Sequence, residues 1–204
     1  MTDAVDAGVA AIRAGKPVVI PTDTVYGLAA DAYHSDAARR LYRLKGREET
    51  RPTALVASDL DMLFECVPEL RGRVGTILRA LLPAPLTVIV PNPARRFRWI
   101  TGSNYDAIGV RVPDLAAGHP GKEVLDRIGC VIATSANRPG GPDPRRLEDV
   151  PEEIRSGAAA LVDGGELPGI PSTVVDVTSA ETRVVREGAV PLADVLESVG
   201  SASG

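Results

Sequence analysis

"VVIPTDTVYGLAADA", Val18 to Ala32, is where the fold is decided. It begins as a short apolar run of strand type. At Pro21 it breaks into Thr22, Asp23, Thr24 and Tyr26, followed by Gly27 and small residues. A strand that ends in so many hydrogen-bonding groups is either closed by a side-chain-bonded turn or lines a site. The residues around it have to decide between the two.

Working outward, helix-like and strand-like segments alternate. Val5, Val9 and Ile12 share one helical face before Gly15, a stop signal. "SDAARRLYRLKG" reads as a helix with Ser35 as N-cap, Ala38, Leu41 and Tyr42 inward, and Gly46 as its end. "LRGRVGTILRALL" places Leu70, Val74, Ile77, Leu78 and Leu81 on one face. "PGKEVLDRIG" and "PLADVLESV" each offer proline at the first helical position. "PVVIP", "TALVA", "LTVIV", "AIGVRV", "CVIAT", "ALVD", "TVVDV" and "TRVVRE" read as strands. Several late strands follow one another with short turns, so the pattern predicts an α/β fold with a mixed sheet. The 204 residues suit a single domain, with its core over about residues 5–190 and a frayed tail at 198–204.

Composition excludes several classes. No apolar run reaches the ~18 residues of a membrane helix, and the N-terminus lacks the pattern of a signal peptide. Cys66 and Cys130 have no metal or redox spacing, and read as ordinary core thiols of a reducing cytoplasm. A net charge of −4 and 3% aromatic residues disfavour a nucleic-acid coat or a base-stacking platform. His34 and His119 stand in unrelated segments, and there is no GxxxxGK[ST] loop. Chemistry at any site would therefore rest on positioning and electrostatics, with no covalent nucleophile and no protein-held metal.

Polar residues flank four apolar runs. "VVIP" leads to Thr22, Asp23 and Thr24; "AIGV" leads to Arg111; "CVIA" leads to Thr134, Ser135 and Asn137; Ser172 and Thr173 precede "VVDV". Singly, each suits a cap or a turn; as a set they suit a cleft for a small polar ligand. Lys45 and Arg47 at a helix end satisfy the helix dipole, but also present a point charge and a planar fork suited to phosphates. Arg51, Arg111, Arg145 and Arg186 are further candidates. Arg111 and Arg186 interrupt apolar runs, where an arginine must snorkel, pair or bind.

"PTDTVYGLAADA", "LKGR", "IGVRVP", "ATSAN", "STVVDVT" and "VVREGAV" occur in this order over almost the whole chain. Together they resemble the YrdC/Sua5 family of L-threonylcarbamoyladenylate synthases, in its short single-domain form. The resemblance implies a YrdC-like twisted mixed sheet flanked by helices, with a concave, positively lined cleft. It implies a cytoplasmic nucleotidyltransferase that makes threonylcarbamoyl-AMP from L-threonine, bicarbonate or CO2, and ATP with Mg²⁺, releasing pyrophosphate. This is the first step of t6A37 tRNA modification. Implied partners are a downstream tRNA threonylcarbamoyltransferase complex and a weak tRNA contact, with no membrane. Carried over by motif, Thr24, Arg111, Ser135 and Ser172 hold threonine; Lys45, Arg47, Asn137, Arg145, Arg186 and Arg51 face ATP. Lys45 and Arg47 act electrostatically in catalysis. The chain departs from the family at "KGREETRPTALV", where Glu48 replaces a proline. The alternative is a non-catalytic RNA-binding or ribosome-associated module on the same fold.

Overall fold

A computed structural model describes residues 2–179 and 181–203. Helix α1 (Thr2–Arg13) leads through Gly15, at φ +67°, to β1 (Val18–Pro21). The quoted stretch then differs from its expected single strand. Thr22 closes a tight turn, donating to Val25 O at 2.7 Å and accepting from Thr24 and Val25 N–H. A second strand, β2 (Tyr26–Asp31), returns antiparallel to β1. Helix α2 (Ser35–Lys45) follows, ended by Gly46 at φ +65°, as expected. His34, not Ser35, takes its N-cap position and gives no side-chain cap bond.

Next come β3 (Ala54–Ala57), α3 (Leu60–Cys66), α4 (Arg73–Leu81), β4 (Leu86–Pro91) and β5 (Ala107–Arg111). The expected helix from Leu70 is broken at Gly72: Pro68–Arg71 is a separate 3-10 turn. The chain continues through α5 (Pro120–Ile128), β6 (Cys130–Ser135), α6 (Glu152–Gly157) and β7 (Ala160–Leu161). It ends with β8 (Thr173–Asp176), β9 (Arg183–Arg186) and α7 (Leu192–Ser203). Pro191 falls just before α7. The segment expected to fray is helical through Ser203, and buried Val195 extends the core past residue 190; Gly204 lies outside the described residues.

Among the described residues the nine strands form one mixed sheet, ordered β7-β1-β2-β6-β3-β5-β4-β8-β9. One face is covered along its length by the main core, with Leu41, Leu63, Leu78, Val88, Val110 and Ile132 in it. The other face is covered at one end only. There α1 and α5 pack Val5, Val9, Ile12, Val124 and Leu125 against β1, β2 and β6. The strand patterns record this asymmetry. β1 is buried throughout and β2 nearly so. β4 and β8 instead alternate buried and half-buried residues, and β5 does the same in opposite phase. Period-2 alternation means one covered face and one open face. No helix among the described residues is long and apolar enough to cross a membrane.

Candidate active site

The uncovered face is the floor of a cleft of about 430 Å³. One cross-strand row, Ala133–Ala54–Gly109–Ile89–Asp176, crosses it, set by the pairing registers of five strands. Three of these five side chains are alanine or glycine, so the middle of the floor is deep. The adjoining row brings Val56 beside Arg111, and Thr87 and Arg186 beside Val174.

Six of the expected residues line this one cleft: Thr24, Arg47, Arg111, Ser135, Ser172 and Arg186. They come from the β1–β2 turn, the end of α2, β5, β6, the residue before β8, and β9. Arg111 donates through Nη2 to Thr24 Oγ1 at 2.8 Å and to the Asp23 carboxylate. Asp23 also accepts from Asp114 N–H at 3.0 Å. This pair is well enclosed, with the side chains 12% and 4% exposed, so Asp23 fixes the arginine fork instead of merely shaping the turn. At the same end Ser172 Oγ lies 2.9 Å from Thr87 Oγ1, and Arg186 Nη2 donates to Ser172 O at 2.7 Å. Arg47 stands at the other end, donating to Pro52 O at 2.8 Å. Burial lowers the pKa of its guanidinium. Arg47 Nε and Arg111 Nε are buried and have no acceptor among the described residues, an incompleteness unusual for buried donors.

Lys45 and Asn137 do not line the cleft. They lie behind it and form the Ser135–Asn137 turn. The buried Lys45 ammonium donates to Ser135 O at 2.6 Å and to Asn137 O and Oδ1. Ser135 Oγ donates to the same Oδ1 at 2.7 Å, while Asn137 Nδ2 reaches Gly141 O at 2.7 Å. Burial, reinforced by Arg47 and opposed by Asp143, brings the Lys45 pKa down to about 8.

Arg51 and Arg145 do not line it either. Arg51 is exposed, and its carbonyl accepts from Tyr42 Oη at 3.1 Å. Arg145 lies against Gly169, where a Cβ would fall 2.2 Å from its Cγ, and pairs with Glu166 at 2.9 Å. The segment from Glu48 to Pro52 is exposed, and Thr50 O lies so near Gly102 that a Cβ there would approach it to 2.4 Å.

Sequence reasoning missed Thr53, Thr87, Asn104, Asp143, Asp176 and Thr178, all lining residues. Thr87 and Asp176 were legible in principle, as the alternate positions of β4 and β8. Tyr26, read as part of a polar row, instead braces the wall. Its hydroxyl donates to Asp163 Oδ1 at 2.7 Å and accepts from Gly164 N–H at 3.0 Å. Burial and the Asp163 bond raise its pKa well above the ordinary value.

A family model described as telomere recombination, Sua5/YciO/YrdC, matches residues 10–188. The chain belongs to the Sua5/YciO/YrdC family. The threonylcarbamoyl-AMP synthase of Pyrococcus abyssi is 32% identical over 93% of this chain, which spans 55% of that protein's length. A threonylcarbamoyl-AMP synthase of Pseudomonas putida is 35% identical over 87% of this chain and 93% of its own. The structure of P. abyssi Sua5 complexed with L-threonine superposes with a TM-score of 0.82 at 31% identity, covering 96% of this chain and 57% of that one. The fold thus matches the mixed α/β sheet expected from sequence.

Proposed function

We propose that this protein is an enzyme, a nucleotidyltransferase that joins L-threonine, CO2 or bicarbonate, and ATP into L-threonylcarbamoyl-AMP with release of pyrophosphate. The observation that carries this reading is the convergence of Thr24, Arg111, Ser135, Ser172, Arg47 and Arg186 on one cleft. A cleft of about 430 Å³ has the size of a small-molecule site. The relatives' names and the threonine-bound P. abyssi structure support the same substrate.

Threonine sits at the Arg111 end. Arg111 keeps Nη1 and Nε for its carboxylate, while Asp23 and Thr24 hold the fork in place. The neutral amine of threonine attacks the carbon of CO2 and loses a proton, giving a carbamate. A carbamate oxygen then attacks the α-phosphorus of ATP; the bond to the β-phosphate oxygen breaks and pyrophosphate leaves. Two anions must be brought in line, so the chain's contribution is alignment and positive charge. Arg47 and Arg186 supply that charge from opposite ends, and Lys45 positions the turn that carries Ser135. Mg²⁺ enters with the nucleotide.

The product is an acyl phosphate anhydride that hydrolyses readily and calls for prompt transfer to an acceptor, the role we assign to a downstream tRNA-modifying transferase. On this reading the protein is a cytoplasmic enzyme of the first step of t6A37 formation. The test is pyrophosphate release from MgATP and bicarbonate with each amino acid in turn, with the adenylate identified by mass. Threonine-dependent release is expected. Tight RNA binding without pyrophosphate release under any amino acid would overturn the reading in favour of an RNA-binding module.

A further inference from the structure

The main core contains a polar cluster that the cleft does not use. Helix α3 begins two residues after β3 and folds back over the start of β6. Ser58 N–H donates to Gly129 O at 2.9 Å. Met62 lies over Gly129, where a Cβ would fall 3.0 Å from the methionine's methyl. This seating brings the last residue of α3, Cys66, towards the first residue of β6, Cys130, and both lie in the same core cluster. A third group joins them: Tyr33 Oη lies 3.1 Å from Cys66 Sγ. Both cysteines are free and buried, whereas Tyr33 is 54% exposed and connects Cys66 to the surface. Sequence spacing gave no hint of the pair, because the two residues meet through the packing of α3 on β6.

The two sulfurs are not equivalent. The hydrogen bonds from Cys130 and Tyr33 outweigh burial and bring the Cys66 pKa down to about 7; Glu65 acts against this. The same bond and burial, with Asp31 nearby, push the Cys130 thiol up. A stabilised thiolate beside a protonated thiol is the arrangement of an attacking and a resolving cysteine.

We propose that Cys66 and Cys130 are a hydroperoxide-reactive pair that closes a disulfide between the end of α3 and the start of β6. The Cys66 thiolate attacks one peroxide oxygen. The O–O bond breaks, the departing oxygen takes a proton as water or alcohol, and Cys66 becomes a sulfenic acid. Cys130 sulfur then attacks Cys66 sulfur; the S–O bond breaks, and hydroxide leaves with the Cys130 proton as water. Two thiols are oxidised and one peroxide is reduced. The inference is independent of the cleft chemistry, because neither cysteine lines the cleft.

The test uses the intact chain and hydrogen peroxide. The mass of the folded protein is expected to fall by two hydrogen masses, a peptide map to join the segments holding Cys66 and Cys130, and a reductant to reverse both. In untreated protein at neutral pH, Cys66 is expected to alkylate roughly tenfold or more faster than Cys130. In Cys130→Ser the sulfenic acid persists on Cys66 and is trapped by dimedone. Tyr33→Phe moves the pH midpoint of Cys66 alkylation upward, a change that loss of packing alone would not produce. Two thiols surviving peroxide in folded protein, equal alkylation rates, or a disulfide joining separate chains would each overturn the proposal.

Discussion

An ammonium offers three N–H donors, and Lys45 has three acceptors, all on the Ser135–Asn137 turn. A neutral amine offers only two donors. With the pKa at about 8, the turn loses one tie as the pH rises past that value, and kcat/KM for ATP is expected to fall there. Stability moves the opposite way. The folded pKa lies below the ordinary 10.5, so between these values the unfolded chain holds a proton that the folded chain has released. Over that window this group's contribution to stability rises with pH. Denaturant unfolding at about pH 7 and about pH 9.5 checks the sign: the wild type should gain relative to Lys45→Met at the higher pH. Arg47 and Arg111 differ from Lys45 in lining the cleft themselves. Arg47→Ala and Arg111→Ala are each expected to cut turnover by roughly 10² or more, the usual effect of losing a charge-stabilising group. Arg111→Ala should also raise KM for threonine, with Asp23 then left as an unpaired, enclosed carboxylate. Full activity in either variant would refute the assignment of the cleft.

At the scale of elements, the cleft exists because β3, β5, β4 and β8 have one face without helices. Gly109 stands in the middle of that face, between buried Ile108 and Val110. A Cβ there would meet only Thr87 Cγ2 at 3.6 Å and backbone atoms near 4.0 Å, so a branched side chain fits the strand and fills the cleft. Gly109→Val is expected to keep or raise the melting temperature, since valine suits a strand better than glycine. It should also raise KM for threonine about tenfold or more, one decade being ~1.4 kcal/mol of lost binding. A calorimetric scan beside steady-state kinetics separates the two effects. The same elements show what sequence made legible. β4, β5 and β8 were found because they are apolar, and α1 and α2 because their periodicity is strong. β2 was missed because Gly27 to Ala30 lacks β-branched residues and is buried on both faces, which removes the alternation. α3 and α6 span only seven and six residues, too short for a helical period to show. Among site residues, Thr24, Arg47, Arg111, Ser135, Ser172 and Arg186 reached the cleft, whereas Lys45 and Asn137 bond each other and do not line it. Arg51 and Arg145 did not, because loop paths depend on distant partners, Tyr42 and Glu166, that no local pattern names.

For the molecule as a whole, the sheet has a doubly covered half and a singly covered half. β1, β2 and β6 lie between α1 with α5 on one side and the main core on the other. β8 and β9 have one open face and end at the sheet edge, where β9 is largely exposed. Backbone opening is governed by local burial and packing, so hydrogen exchange should be slowest in β2 and β6 and fastest in β9, with β4 and β5 between. Ligand binding adds cover only on the bare face. Threonine is therefore expected to slow exchange at Thr87, Arg111 and Thr24. MgATP should extend protection towards Arg47 and the Ser135–Asn137 turn, and α1, α5 and β7 should not change. Peptide-resolved exchange with threonine alone, MgATP alone, and both together reads this directly. Protection spreading evenly through both halves would mean that binding tightens the whole sheet; protection confined to the α1–α5 side would place the ligand on the wrong face. If each ligand protects its own end and the pair together protects the floor row from Ala54 to Ile89, the cleft is one continuous site in which two substrates meet over Gly109.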